Sequence, residues 1–526
     1  MTGKKIKLAS LILGGAILLS ACGRDFTPQP MGFTSTLNNF TKTNIQKSGL
    51  VTPQWAKTAV FYQIFPERFL NGDKSNDPAK IKPWGEKPGN FDFYGGDLQG
   101  VTQKLSYLKD LGITALYFNP VFEAPSNHKY DTSDYTKIDD NFGGLTAFRT
   151  LINKAHSMGI KVMLDGVFNH TGDKHWAFQD AMKNGKQSKY WDWYTVYGDT
   201  IIQSPPNYNC WWGFGSLPQL KTGLNASIDQ HLLNDVTAYW LKEGIDGWRL
   251  DVPNEVKNWE FWNRFRNTVK STKSDGYIVG EIWEDASQWL QGDKFDSVMN
   301  YVWRKNMVDF FAAKTINVDT FDRNLTNLRL AYPKEATEVM FNLLSSHDTP
   351  RFLNQAGENS WKLKAAAFFQ MTYVGTPVVY YGDELGMTGG MDPDCRRTME
   401  WNKVAGNPLL DYYKKLISLR KAHPALSYGY FESVMKHNDK QLYAYLRLEG
   451  NDKLICALNN SDTAQDVTVP VSNIRLSTGQ TVDISATKQA SQVIDLLTNK
   501  KYPVTNGTVT IPKLDGHAGA ILQAGN

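Results

Sequence analysis

Cysteine is scarce: four in 526 residues, Cys22, Cys210, Cys395 and Cys456. The last three show no metal-ligand spacing, so no thiolate metal site is expected, and which of them could pair stays open. Net charge is small too. The 57 Lys and Arg against 53 Asp and Glu leave +4, and only +1 without Lys4, Lys5 and Lys7, which lie in a segment expected to be removed. No basic stripe remains, which excludes a nucleic-acid partner of the usual kind. Global disorder is excluded as well, because 41% of residues are hydrophobic and 21% charged, enough to bury a large core. What is abundant is aromatic: 13% of the chain, with 16 Trp and 24 Tyr. Most of these rings serve packing, but the excess of Trp and Tyr also suits stacking on flat apolar faces such as those of sugars.

The N-terminus reads as an address. Three lysines precede the apolar stretch Leu8–Leu19, which is too short to span a bilayer as a permanent helix and reads as a signal peptide over 1–21. Leu19-Ser20-Ala21-Cys22 is similar to a bacterial lipobox, in which the cysteine becomes the lipid-bearing N-terminus. The expectation is an exported protein held at the bacterial cell surface or membrane through Cys22. Residues 22–54, rich in Thr, Asn, Gln, Pro and Ser, read as a polar tether.

From there the chain repeats a unit. Val101, Leu105, Leu108 and Leu111 have helical spacing and stop at Gly112, and the buried run ITALYFNP (113–120) follows. Helix, glycine, isoleucine and apolar strand recur at 145–170 and 231–251. With further apolar strands at 59–69, 277–283, 297–303, 339–348 and 376–384 the count is eight. This predicts an α/β fold: a (β/α)8 TIM barrel over 55–427, with an inserted lobe over about 171–228 after the third strand. After residue 427 the pattern is strand and turn only, which predicts a C-terminal antiparallel β-sandwich domain over 428–526.

Reactive groups of such barrels sit at the C-terminal ends of the strands. Those ends carry Asp165, Asn169 and His170, then Arg249 and Asp251, then Glu281, then His347 and Asp348. Any one alone could be a helix cap or an ion pair. Four carboxylates at one mouth repel one another, and fold stability gives no reason to gather them. Paired carboxyls in such a mouth suit the roles of nucleophile and acid–base. Asp251, beside Arg249, is expected to ionise and attack. Glu281, flanked by Ile282 and Trp283, is expected to stay protonated and donate.

DGVFNH (165–170), GWRLDVPNE (247–255), GEIW (280–283) and SSHDTPR (345–351) resemble, in order and spacing, the four signature regions of the α-amylase family of glycoside hydrolases. YQIFPERF, ITALYFNPVF and NHKYDTSDY resemble the neopullulanase, cyclomaltodextrinase and maltogenic amylase subgroup, and LPQLK (217–221) is similar to its MPKLN segment. The resemblance implies retaining catalysis by Asp251, Glu281 and Asp348. It implies sugar contacts from Tyr130, His170, Arg249 and His347, and a further pair in Asp392 and Arg396. NGDKSND (71–77) with Gly95 and Asp97 resembles that subgroup's calcium loop, which implies a structural Ca2+ held by Asn71, Asp73, Asn76, Asp77, the Gly95 carbonyl and Asp97. Alone, the same heptapeptide reads as a turn. The subgroup carries an N-terminal β domain that builds a dimer. The first barrel strand here begins near Ala59, so a monomer with an open cleft for longer α-glucans is expected.

The expected activity is endo-acting hydrolysis of α-1,4 bonds in starch, maltodextrins, cyclodextrins or pullulan. A transglycosylase or α-1,6-acting enzyme on the same scaffold is the alternative, which the Asn254-Glu255 pair keeps open. A non-catalytic sugar-binding protein would have lost the carboxylates that are present.

Overall fold

A computed structural model describes residues 49–484 and 492–525. Eight short parallel strands form one sheet: β1 (Phe61–Ile64), β2 (Ala115–Phe118), β3 (Lys161–Gly166), β4 (Gly247–Leu250), β5 (Tyr277–Gly280), β6 (Ser297–Val298), β7 (Phe341–Leu343) and β8 (Thr376–Tyr380). The order is β6-β5-β4-β3-β2-β1-β8-β7, and a parallel bridge between Met299 and Phe341 joins β6 to β7 and closes the barrel. Every strand residue except Lys161 is buried, as expected of strands covered on both faces. Alternation sorts their side chains. Phe61, Tyr117, Met163, Val279, Phe341 and Val378 point into the barrel, while Tyr62, Leu116, Leu164, Trp248 and Ile278 pack outward under the helices.

Helix α1 (Leu98–Leu111) follows the predicted spacing: Val101, Leu105, Leu108 and Leu111 are all buried. Asp97 caps its start by accepting from the Gly100 amide, and Gly112 ends it at φ 100°, where its N–H reaches Leu108 O and Lys109 O. Helix α2 (Gly144–Ser157) repeats the device, with Gly159 at φ 69°. The lobe after β3 carries the helix Trp176–Asn184 and a cluster of 3-10 turns, and is tied to the barrel by a bridge between His170 and Gln219.

The C-terminal region is all antiparallel. β9 (Tyr430–His437), β10 (Leu442–Glu449), β11 (Asp452–Asn459), β13 (Gln492–Asp495), β14 (Lys501–Pro503) and β16 (Ala518–Ala524) form a sheet ordered β9-β10-β11-β16-β13-β14. The ribbon of β12 (Gln465–Pro470) and β15 (Thr508–Leu514) closes a second apolar core over it, built on Leu446, Ile455, Val467, Val469 and Ile511. The sheet's other face packs on α3 (Ser360–Thr372) so closely that a Cβ on Gly519 would meet the Phe368 ring at 2.6 Å. Arg420 on α4 (Pro408–Ala422) and Arg447 on β10 are fully buried there without a carboxylate. Arg447 donates to the carbonyls of Thr372, Ala425 and Gly429, and Arg420 to those of Met371, Tyr373 and Leu426, all within 3.1 Å. Cys210, Cys395 and Cys456 are free thiols. Among the described residues no helix is long and apolar enough to cross a membrane. The predicted signal segment, Cys22 and most of the tether lie outside the described residues.

Candidate active site

Register builds the centre of the mouth. Asp165 on β3 and Arg249 on β4 are Cα partners, and both point inward at the top of the barrel. Arg249 is fully buried, and its Nη1 donates to both Asp165 oxygens at 2.7 and 2.9 Å. The same Nη1 donates to Asp251 Oδ1 at 2.9 Å, and Nη2 is ion-paired with Glu281 Oε2 at 2.9 Å. One guanidinium therefore gathers three carboxyls from three adjacent strands. The Tyr117 and Tyr130 hydroxyls donate to Asp165 Oδ2 at 2.8 and 2.9 Å, so Asp165 is fully engaged as an anchor for Arg249.

The backbone is strained where the reactive groups leave the sheet. Val252 sits at φ 33° and ψ 49°, left-handed geometry that a β-branched residue avoids. In that position its N–H donates to Glu281 Oε2 at 3.0 Å, while Trp283 Nε1 donates to Oε1 at 3.1 Å. Trp283 is itself fixed by parallel stacking on Tyr301, 3.6 Å between centroids. Both Glu281 oxygens are thus aimed.

Across the mouth, His347 accepts at Nδ1 from Gln63 Nε2 at 2.9 Å, which leaves the proton on Nε2, facing the Tyr130 hydroxyl at 2.7 Å and Asp348 Oδ2 at 3.1 Å. Tyr130 lies parallel to the His347 ring, with 6° between planes. Asp348 Oδ1 reaches Arg396 Nη2 at 3.4 Å, and Arg396 Nη1 pairs with Asp392 at 3.1 Å. His170 is buried against Trp211, its ring 5.2 Å away, and its Nε2 has no partner. Burial pushes the His170 imidazole down to about 4, and burial with Arg396 and Arg249 holds His347 well below the usual range, so both are neutral.

The electrostatics differ from the expected division between Asp251 and Glu281. Arg249 serves Glu281 as well as Asp251, so Glu281 does not sit among apolar neighbours alone. Burial pushes Asp251 well above the carboxylate range, and Glu281, Asp165 and Asp348 add to the push against the lowering effect of Arg249. Asp348 is raised to about 7 by burial and by Glu281. One arginine cannot neutralise so many carboxyls, so burial and mutual repulsion hold Asp251 and Asp348 up.

All the proposed reactive and sugar-binding residues converge on this mouth. The sequence reading missed Gln63, Tyr117, Asn119 and Trp211. Asn119 donates to the Tyr130 hydroxyl at 3.1 Å and accepts from Gln63 at 3.0 Å. The first three lie inside apolar strand runs, where a single polar side chain carries little signal.

The 71–97 loop is a separate cluster. Asn71 Nδ2 donates to Asp77 Oδ1 at 2.6 Å, while Asn71 Oδ1 is buried without a partner. Gly95, at φ 77°, packs on both, and a Cβ there would collide with them. Asp73 accepts from the Ser75 amide and hydroxyl at 2.9 and 2.6 Å, and one end of the Asn76 amide faces Asp73 O at 2.8 Å and Asn141 O at 3.2 Å. Asp97 accepts the amides of Gly72, Asp73 and Gly100 between 2.6 and 3.2 Å. Asn71, Asp77 and Gly95 therefore come together around an unsatisfied oxygen, as a hard cation requires, whereas Asp97 first organises the loop.

Residues 63–407 match the family described as "Alpha amylase, catalytic domain". Neopullulanase 2 of Thermoactinomyces vulgaris is 49% identical over 427 residues, 80% of this chain and 72% of that protein. A cyclomaltodextrinase of Thermoanaerobacter pseudethanolicus is 48% identical over 423 residues, 79% of this chain and 72% of that protein. Among solved structures, the cyclic α-maltosyl-(1→6)-maltose hydrolase of Arthrobacter globiformis, in complex with that sugar, superposes with a TM-score of 0.80. It is 36% identical and covers 90% of this chain and 100% of its own.

Proposed function

The chain belongs to the α-amylase family of glycoside hydrolases, and from that premise we propose that it cleaves α-1,4 bonds within α-glucan chains and rings with retention of configuration. Action on α-glucans accords with relatives named neopullulanase, cyclomaltodextrinase and maltogenic amylase. A cyclic dextrin has no chain end, so a relative of a cyclomaltodextrinase is well suited to internal bonds. The observation that carries the reading is the Arg249 guanidinium, which holds Asp251 and Glu281 at the ends of adjacent strands.

In this mechanism Asp251 attacks the anomeric carbon and forms a glycosyl ester. Glu281, aimed by Val252 N–H and Trp283, gives its proton to the departing glycosidic oxygen and then takes one from water. As the ester forms, Asp251 loses its charge and Arg249 turns to Asp165 and Glu281. Asp348 grips sugar hydroxyls with neutral His347, while Tyr130 offers a ring face and His170 its unpartnered Nε2. Asp392 and Arg396 extend the grip on the far rim. The Arthrobacter globiformis enzyme, named for hydrolysis of a cyclic α-maltosyl-(1→6)-maltose, supports a second reading, cleavage of α-1,6 bonds on the same scaffold.

Three measurements test this. NMR of fresh product from maltohexaose should show the α-anomer first; the β-anomer first removes the retaining mechanism. Glu281→Gln should lose maltohexaose hydrolysis yet react with α-maltosyl fluoride and give an α-glycosyl azide with added azide, while Asp251→Asn fails on both. Digests of starch, pullulan and β-cyclodextrin rank the bond types.

A structural calcium ion is also proposed at Asn71, Asp73, Asn76, Asp77, the Gly95 carbonyl and Asp97, supported by the buried Asn71 oxygen. Bound there, it would supply charge that ties the 71–77 loop to the start of α1. Chelation should lower Tm at neutral pH, since a ligand of the folded state alone stabilises it, and an unmoved Tm removes the ion. Export and a lipid anchor on Cys22 are proposed from the lipobox likeness. The anchor would set this chain apart from a relative named intracellular maltogenic amylase of Bacillus subtilis, 42% identical. Lipid labelling that persists in Cys22→Ser would rule it out. A monomer is proposed, to be checked by sedimentation.

A further inference from the structure

Gln63 is a polar side chain held inside the barrel at a cost. It follows Phe61 by two on β1, so it points inward as well, one layer nearer the mouth and level with Tyr117. It is fully buried, and its Oε1 finds no partner there. Its Nε2, by contrast, serves two acceptors, Asn119 Oδ1 at 3.0 Å and His347 Nδ1 at 2.9 Å. The amide is aimed at its neighbours while its own oxygen goes unmet.

Those contacts close a loop of hydrogen bonds, Gln63–His347–Tyr130–Asn119, and the loop runs in one direction only. Asp165 fixes it. Its Oδ2 accepts from Arg249 Nη1 and from the Tyr117 hydroxyl, and the Tyr130 hydroxyl, 2.9 Å away, gives that oxygen its single proton. Tyr130 Oη is then an acceptor toward its other neighbours, Asn119 Nδ2 at 3.1 Å and His347 Nε2 at 2.7 Å. With Nδ2 on that side, Asn119 turns Oδ1 to Gln63. Gln63 must answer with Nε2, which faces His347 Nδ1 as well. The imidazole is thus constrained at both ends. Its Nδ1 meets a donor, while its Nε2 meets Tyr130 Oη and, at 3.1 Å, Asp348 Oδ2.

A histidine this close to a carboxylate ordinarily takes a second proton and forms an ion pair. The Gln63 N–H occupies the place that proton needs. Arg396, Arg249 and His128 also oppose a positive charge on the ring. The Tyr130 hydroxyl and the Cys395 thiol, which donates to the His347 carbonyl at 3.2 Å, are both pushed up by burial and bring no charge. We propose that Gln63 is a positioning residue for the cleavage reaction: its amide locks His347 as the neutral tautomer with hydrogen on Nε2, so that a donor rather than a cation stands beside Asp348 where the sugar is held. This rests on the α-glucan hydrolase reading. Gln63 acts through His347. A charged His347 would pair with Asp348 and withdraw both groups from the sugar hydroxyls.

The test reads the proton directly. In 15N-histidine-labelled protein, long-range 1H–15N spectra distinguish the two neutral forms from each other and from the cation, and the His347 signals are those missing from His347→Gln. Wild type should carry hydrogen on Nε2 alone from pH 5 to pH 8. Gln63→Met keeps the volume and removes the donor, and Gln63→Leu does the same should the first variant fold poorly. Hydrogen should then appear on Nδ1 as pH falls toward 5. Over the same range kcat/KM for maltohexaose relative to wild type should fall, by about tenfold at pH 5 and by less at pH 8, the scale of one hydrogen bond lost at the transition state. In a His347→Gln background the loss from Gln63→Met should disappear. Hydrogen on Nδ1 in wild type, or His347 signals unmoved at pH 5 in the Gln63 variants, overturns the lock. A Gln63→Met loss that persists undiminished in His347→Gln overturns the positioning role. Each of these leaves the hydrolase reading standing. Wild-type protein inactive on maltohexaose, starch and β-cyclodextrin overturns that reading and the positioning role with it.

Discussion

Glu384 lies just past β8, fully buried, and its Oε1 accepts from the Tyr62 and Tyr107 hydroxyls at 2.8 and 2.7 Å while Oε2 has no partner. Burial pushes it up to about 7. In the unfolded chain a glutamate releases its proton near ~4.3. Between these values the folded protein binds more protons than the unfolded one, so this residue's contribution to stability falls as pH rises through the window and is flat above it. Glu384→Gln should abolish that slope and be more stable at pH 8 by about 1–3 kcal/mol, read from urea midpoints at pH 5 and pH 8. Tyr117→Phe tests the anchor of Arg249. Losing its bond to Asp165 should cost about 1–3 kcal/mol and lower kcat/KM. At this scale the sequence was legible only in part. Asp251, Glu281 and Asp348 stood out because charge at a strand end is conspicuous. Gln63 and Tyr117 did not, because an inward polar side chain within a four-residue apolar strand looks like ordinary alternation. The shared Arg249 was also hidden, since one-dimensional proximity assigns it to Asp251 alone.

Secondary-structure elements were easier to read, for a physical reason: each strand is a run buried on both faces, and the helices before β2, β3 and β4 are followed by Gly112, Gly159 and Gly244, all at positive φ. Gly112 tests that logic. At φ 100° an alanine is strained, and its Cβ would lie 2.6 Å from Ile417 Cγ2. Gly112→Ala should destabilise by about 1–3 kcal/mol in thermal melts. Ile417→Leu, which lacks that γ-methyl, should recover part of the loss. Strand bounds were overdrawn: the run 59–69 yields only Phe61–Ile64, because Phe65 and Phe69 are buried under mouth loops rather than in the sheet. The helix expected at 231–243 starts at Ala226 and contains a π segment, His231–Ala238. Its cause is local. The Thr237 hydroxyl donates to Leu232 O, five residues back, at 2.7 Å. Hydrophobic spacing carries no sign of such a bond.

On the scale of the whole molecule, the barrel and the C-terminal sheet share one apolar core, in which Tyr443, Tyr445, Leu458 and Ile521 join the residues under α3 and α4. A single calorimetric transition is expected, with C-terminal truncation after residue 427 leaving an aggregating barrel. Arg447→Leu should lower stability by about 3 kcal/mol or more, because Thr372, Ala425 and Gly429 would be left with buried carbonyls unmet. Those carbonyls carry a consequence beyond stability. The last turn of α3 and the segment after it are satisfied by two arginines from elsewhere, one on α4 and one on β10, with no acidic residue between them. A recombinant chimera that swapped the C-terminal sheet with one from a relative would inherit a working barrel only if the incoming sheet brought its own guanidinium to the same helix end. The seam between the two parts is therefore a poor place to exchange sheets between relatives.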